Sequence, residues 1–215
     1  MAHSDEDRGE QQLRAPGARS EVSFRVKNSR FIALLIPVTT REEVDAALAE
    51  LHAAHPEATH IVYAFSLGPP KSRQFGQSDA GEPKGTAGRP VLAAVEGKGV
   101  TNALVAVIRY FGGTKLGTGG LVRAYGDAAA AVIEAARLTP LRRLFRAHVE
   151  VAYPAHEAVR DLVTSLGGAV LREEYGTAVS IDLMAPEAVR EELVAGLRDR
   201  TRGAAEPQLG QAYWG

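Results

Sequence analysis

Five glycines (Gly112, Gly113, Gly117, Gly119 and Gly120) fall within nine residues, between an apolar run, Ala103 to Ile108, and an Ala-rich stretch. This arrangement constrains the fold more than any other feature of the chain. An uninterrupted apolar run of that length reads as a strand covered on both faces. The Ala-rich stretch, from about Leu121 to Arg137, reads as a helix. The glycines between them must make a strand-to-helix turn with bare backbone N–H groups. Helix N-terminal amides lack intrahelical partners and the helix dipole favours negative charge there, so such a turn suits an anion. Arg109, Lys115 and Arg123 flank it, and Thr118 lies within it. It does not match a Walker A loop, because Lys115 follows Gly112 too closely and is itself followed by Leu116. It does not match a dinucleotide fingerprint, because Val122 stands where the third glycine would be.

The charge is uneven in a way that favours an anionic partner for one half. The whole chain carries −1, which argues against a uniformly basic nucleic-acid sleeve. From Lys71 to Arg123 there are eight basic residues against three acids, a local balance of +5. From Thr139 onward nine Arg face eleven acids. Lysine is scarce, five against twenty Arg, and four of the five lie between residues 71 and 115. Cysteine is absent, so disulfides and thiolate metal sites are excluded. No apolar run approaches the roughly 20 residues that span a bilayer. A cytoplasmic protein with no metal and no cofactor is expected.

The pattern divides the chain. Residues 1–19 mix charge, Gly, Pro and Gln and are expected to be a disordered tail. Val22, Phe24 and Val26 alternate as a strand, Asn28-Ser29 turns, and Phe31 to Val38 returns. Thr40-x-x-Glu43 is a capping box, and Val44, Leu48 and Leu51 recur at helical spacing up to Pro56. Thr59 to Leu67 is a third strand. Gly68 to Gly88 reads as a long loop, and Pro90 to Glu96 as a short helix ended by Gly97. Thr139 to Arg143 reads as a linker between a first domain, 20–138, and a second, 143–215. The second alternates from Phe145 to Tyr153, then carries a helix ended by Gly167-Gly168. Two strands, a helix opened by Pro186 and a strand near Pro207–Tyr213 follow, a ferredoxin-like βαββαβ order.

Three groups can carry chemistry. Asp79 and Glu82 lie three apart in a loop with Lys84, Thr86 and Arg89. They can bind a hard cation, pair with Arg109 or act as acid and base. Arg109 ends an apolar strand and needs a partner if buried, or, if exposed, is an anion-binding residue at the strand's C-terminal mouth. His60 starts a strand and can bond the loop, while His52 and His55 fit a helix C-terminus rather than a zinc motif. The aromatics beside the turn, Tyr110, Phe111 and Tyr125, can stack or pack, and for Phe111 packing in the core is the expectation.

Taken in order, these segments resemble the YigZ/IMPACT family. The residues that carry the resemblance are Ser29-Arg30-Phe31-Ile32, His55-Pro56 with His60, Ser78 through Pro83, and Gly85 through Gly88. They continue with Arg109 through Gly113 and Leu116 through Tyr125. The resemblance covers about residues 20–138, with weaker motifs over 143–205. It implies an α+β protein whose first domain has a left-handed βαβ fold, shared with domain IV of elongation factor G and with GHMP-type kinases. The second domain is implied to be ferredoxin-like. Eukaryotic members regulate translation, so RNA, the ribosome or a translation factor is the expected partner. Lys84, Arg89, Lys115 and Arg123 are the expected phosphate contacts. The alternative is an enzyme holding a phosphorylated or carboxylated small molecule at the glycine turn, with Asp79, Glu82 or His60 as acid, base or ligand.

Overall fold

A computed structural model describes residues 12–215. They divide into two compact units that meet in sequence at Leu141/Arg142. In the first unit, a short strand β1 (Arg14–Pro16) precedes β2 (Ser20–Val26), β3 (Ser29–Pro37), α1 (Arg41–Ala54) and β4 (His60–Leu67). Then come β5 (Gln74–Ser78), α2 (Gly88–Gly97), β6 (Ala103–Tyr110), α3 (Thr118–Ala135) and β7 (Leu138–Pro140).

Five strands form one sheet in the order β2-β3-β6-β4-β5, with antiparallel neighbours throughout. β3 and β4 point the same way but are separated by β6, so the β3-α1-β4 unit is a split crossover. β6 is central and its alternation explains the apolar run. Val105 and Val107 face α2 and α3 with Phe31, Ala33 and Val62. Leu104, Ala106 and Ile108 face α1 with Ile32, Leu34 and Ile61. A strand that serves two helical layers has no polar face, whatever the direction of its neighbours.

Local chemistry sets the helix ends. Thr40 caps α1 by accepting from the Glu43 N–H, as the capping box requires, while the Glu43 carboxylate reaches back to Thr39. α2 runs through Gly97, and the φ of 62° at Gly99 allows the Val100 N–H to reach the Val95 carbonyl. The helix therefore ends at Gly97, as expected, and begins at Gly88, two residues before the expected Pro90.

Three other expectations are corrected. Gly68 to Gly88 is not one long loop: a 3-10 turn (Pro70–Ser72) leads into β5, which pairs with β4. Lys71 and Arg73 are thereby carried to the Leu67 end of β4, away from His60. Arg14–Pro16, assigned to the tail, is a strand, and Leu138–Pro140, which overlaps the expected linker, pairs with it antiparallel. Leu13 beside it is buried. The part of the tail expectation that concerns residues 1–11 lies outside the described residues.

The second unit contains β8 (Arg143–Val151), α4 (Tyr153–Ser165), β9 (Ala169–Tyr175), β10 (Val179–Pro186), α5 (Arg190–Thr201), β11 (Gln208–Leu209) and β12 (Tyr213–Trp214). Its sheet order is β11-β8-β10-β9, with β12 also on β8. That is the ferredoxin-like order. Phe145, Val149, Ile181 and Leu183 form the core with Val159, Leu162 and Val163 of α4 and Leu193 and Leu197 of α5. Gly167, at φ 71°, ends α4 as expected, with the Gly168 N–H donating to Val163. Pro186 does not open α5 but closes β10. A 3-10 turn (Glu187–Val189) intervenes, and Arg190 grips Glu187 at 2.8 Å while lying 4.2 Å over the Phe145 ring. The architecture is α+β in both units.

Candidate functional site

The site lies where β6 ends, β4 begins and β3 begins. Register places Phe31, Arg109 and His60 side by side across β3, β6 and β4. The apolar strand β6 therefore delivers one guanidinium to the helix-covered face at the sheet's end. Arg109 is 4% exposed. A charge so buried must be matched, and it is: Nη1 donates to Glu82 Oε1 at 2.6 Å, and Nη2 donates to Ser29 Oγ at 3.2 Å. Of the two candidates for this pairing, Glu82 is the partner and Asp79 is not.

Glu82 collects more than Arg109. The Tyr125 hydroxyl, from the buried face of α3, donates to the same Oε1 at 2.7 Å. Burial, and then the hydrogen bond and charge of Glu82, push the Tyr125 phenol well above its ordinary value, so it stays a donor. His60 Nε2 stands 3.8 Å from Oε1, and His60 Nδ1 meets the Ala80 carbonyl at 2.8 Å. A carbonyl only accepts, so Nδ1 carries the proton. His60 thus starts its strand and bonds the loop, as expected.

Asp79 has a separate task. Its carboxylate accepts from the N–H groups of Gly85 at 2.8 Å, Ala87 at 3.1 Å and Gly88 at 2.8 Å. Ala87, at the N-cap position of α2, has no side chain able to cap, so Asp79 caps the helix from eight residues upstream. Burial opposes ionisation, but the three amides and the nearby Arg89 outweigh it and hold the carboxyl below its usual range. Thr86 closes the loop by donating to the Pro83 carbonyl at 2.6 Å.

The glycine turn is narrower than the sequence suggests. Thr118, Gly119 and Gly120 belong to the first turn of α3, and Gly117 is its N-cap with φ 75° and no capping side chain. The Leu121 N–H is the first to be bonded, to the Gly117 carbonyl, leaving three amides open at an exposed helix start. Gly113 also has positive φ, at 81°. Gly112 is required for another reason: a Cβ there would collide with the Asn28 carbonyl of the β2–β3 hairpin. That hairpin braces the turn further. Lys27 Nζ donates to the Lys115 carbonyl, Asn28 Nδ2 to Thr114 Oγ1, and the Gly112 N–H to Ser29 Oγ.

Lys84, Arg89, Lys115 and Arg123 are exposed, and none has an ion-pair partner among the described residues. Arg30 is exposed as well and lies 6.0 Å over the Tyr110 ring, whose hydroxyl bonds His55 Nδ1 at 2.7 Å. Tyr125 is fully buried and offers no stacking surface. Phe111, expected in the core, is 46% exposed. Residue type alone does not decide this, because burial of a single aromatic after a strand depends on what covers the strand end. Lys27 and Asn28 were missed for a similar reason, since only the hairpin pairing brings them to the glycine turn.

Of the three groups in the enzymatic alternative, the two carboxylates, Asp79 and Glu82, are engaged internally, whereas His60 lines a cavity. A cavity of about 380 Å³ beside His60 is lined by His52, His55, Thr59, Tyr63, Ser78 and Ala80, and includes neither carboxylate. No group of three or more His, Asp or Glu residues able to hold a metal ion occurs among the described residues. Nor is any helix among them long and apolar enough to cross a membrane.

A two-unit α+β protein with a braced glycine turn beside a buried Arg–Glu–Tyr cluster is the class this geometry defines. The Impact N-terminal domain model matches residues 27–133, and a second model, a domain of unknown function (DUF1949), matches 149–204. The chain is 36% identical over 195 residues to the IMPACT family member YigZ of Escherichia coli, covering 89% of this chain and 94% of that one. It is 34% identical over 197 residues to an IMPACT family member of Haemophilus influenzae, at 89% and 94% coverage. A crystal structure of a hypothetical protein, 32% identical, superposes with a TM-score of 0.62 over 94% of this chain and 98% of that one. The chain belongs to the YigZ/IMPACT family.

Proposed function

We propose that this protein is a cytoplasmic RNA-binding protein that acts on the ribosome or a translation factor in the regulation of translation. Its contact face is the Asp79–Arg89 loop beside the Phe111–Arg123 turn. One observation carries the reading. Both carboxylates of this region, Asp79 and Glu82, are turned inward and consumed by internal donors, whereas Lys84, Arg89, Lys115 and Arg123 are exposed and, among the described residues, form no ion pair, although Arg89 lies near enough to Asp79 to favour its charge. The segment's positive balance is therefore concentrated at the surface, as a phosphate backbone requires. The three open amides of α3 add hydrogen-bond donors suited to a phosphate oxygen.

Titration of single-stranded RNA against salt tests this. Four phosphate contacts predict a log–log slope near −3, at about −0.7 per contact. Reversing Lys115 and Arg123 to Glu should halve the slope and weaken binding to all sequences without changing the melting temperature. Absence of binding at low salt refutes the reading.

A further inference from the structure

Phe111 is a large apolar side chain left half open on a surface otherwise rich in cations. It is also the last member of a column of neighbouring planar groups. Phe24 stacks on Phe31 with centroids 5.6 Å apart and planes 9° from parallel. The Arg109 guanidinium lies 5.6 Å over Phe31 and 5.4 Å from the Phe111 ring. The column therefore runs Phe24, Phe31, Arg109, Phe111, and ends in solvent. Arg109 Nε is buried and makes no hydrogen bond among the described residues.

The column is held rigidly. Glu82 and Ser29 fix the guanidinium, and Thr59 Oγ1 accepts from the Phe111 N–H at 3.0 Å. Gly112, next in the chain, is pressed against the Asn28 carbonyl. A side chain whose backbone and one ring face are fixed loses little entropy when something covers its other face.

We propose that Phe111 is a stacking platform for an unpaired nucleobase, so that the ligand of this face is single-stranded RNA. The inference rests on the RNA-binding reading above and adds its structural class. A base offers a planar face of the right size, and stacking on an aromatic ring tolerates any base. Duplex RNA offers no such face, because its bases already cover one another. Charge complementarity fixes the occupant as a polyanion. Lys27 and Lys115 are exposed on the hairpin and the turn that brace Gly112, next to Phe111 in the chain, and supply positive charge for the phosphates of such a strand. An apolar protein segment would leave the positive charge of this face unmatched.

The test uses the whole protein and three probes: a single-stranded RNA 12-mer carrying one 2-aminopurine, the same strand annealed into a duplex, and an abasic strand of equal length. The single strand should bind at least tenfold tighter than the duplex or the abasic strand, with quenching of the 2-aminopurine. Phe111→Ala should weaken single-strand binding by about 5- to 150-fold. The salt slope should stay unchanged, because stacking releases no counterions. Phe111→Trp should retain affinity, which separates stacking from a folding defect. Equal affinity for strand and duplex, or Phe111→Ala that binds like the parent, overturns this inference while leaving RNA binding intact. The second result is also the one expected if Phe111 is a contact for another protein. Failure of all three probes overturns the RNA-binding reading and this inference together.

Discussion

Arg109 and Glu82 meet at 2.6 Å from opposite ends of a 27-residue separation, each with a side chain about 5% exposed or less. The pair ties the Asp79–Gly88 loop to the end of the central strand. Burying two charges carries a large desolvation cost, and the Tyr125 hydroxyl and the Ser29 hydroxyl help to offset it. Arg109→Ala should therefore destabilise the first unit by about 3 kcal/mol or more in chemical denaturation, because a buried carboxylate is left without its cation. A loss below roughly 0.5 kcal/mol would show that the guanidinium is not the partner of Glu82 in solution. Arg109→Lys should be nearly as damaging, since one ammonium cannot serve Glu82 and Ser29 and also stack between two rings.

Tyr125 titrates differently from an exposed tyrosine. Its folded pKa lies above the unfolded value near 10, so its neutral form stabilises the fold below about pH 10, and that stability is lost as pH rises beyond it. In an alkaline absorbance titration, the Tyr125 share of phenolate formation should appear only with unfolding. Tyr125→Phe should cost about 2 kcal/mol, the worth of a hydrogen bond to a charged group, and should remove that late component. A Tyr125→Phe protein with unchanged stability and an unchanged titration would contradict the hydrogen bond.

Asp79 acts at the other end of the pH scale. Its folded pKa is depressed, so its contribution is full above the unfolded value of about 3.9 and disappears as pH falls through the lower folded value. Asp79→Ala leaves the Gly85, Ala87 and Gly88 amides without an acceptor and should cost about 2 kcal/mol at neutral pH. The difference between parent and variant should shrink below about pH 4, measured by urea denaturation across pH. A constant difference down to acid pH would mean that the carboxylate charge plays no part.

Much of this was legible in the residues. The two-faced burial of β6, the capping box at Thr40 and the Schellman stop at Gly167 each follow from local chemistry, which a sequence displays directly. An Arg ending an apolar strand has to find an acid, which narrowed the partner of Arg109 to Asp79 or Glu82. What stayed hidden depended on distant pairing. β1 and β7 are three residues each, too short to show periodicity, and exist because they pair with each other across 124 residues. Phe111 reads as a core residue by type, yet among the described residues nothing covers its ring fully and it is left 46% exposed. The roles of Asp79 and Glu82 could not be separated by spacing, since which carboxylate turns toward α2 and which toward β6 is set by Ala80 and Gly81, both at positive φ.

The glycines of the turn should respond to substitution in opposite directions, which separates close packing from backbone access. Gly112→Ala places a methyl against the Asn28 carbonyl and must displace the hairpin, so it should destabilise by about 2 kcal/mol. It should also weaken RNA binding, by moving Lys27 and Phe111 together. Gly119 is helical, has ordinary φ, and has no atom within 4 Å of an added Cβ. Gly119→Ala should therefore stabilise α3 by about 0.5 kcal/mol through reduced freedom of the unfolded chain. Thermal melts of the two variants give the signs. If the open amides of α3 receive a phosphate, Gly119→Ala should lower affinity for RNA despite its greater stability, because the methyl stands where the ligand approaches. A Gly119→Ala protein that is both more stable and equally tight would remove the helix start from the contact face and leave the cations and Phe111 to carry it.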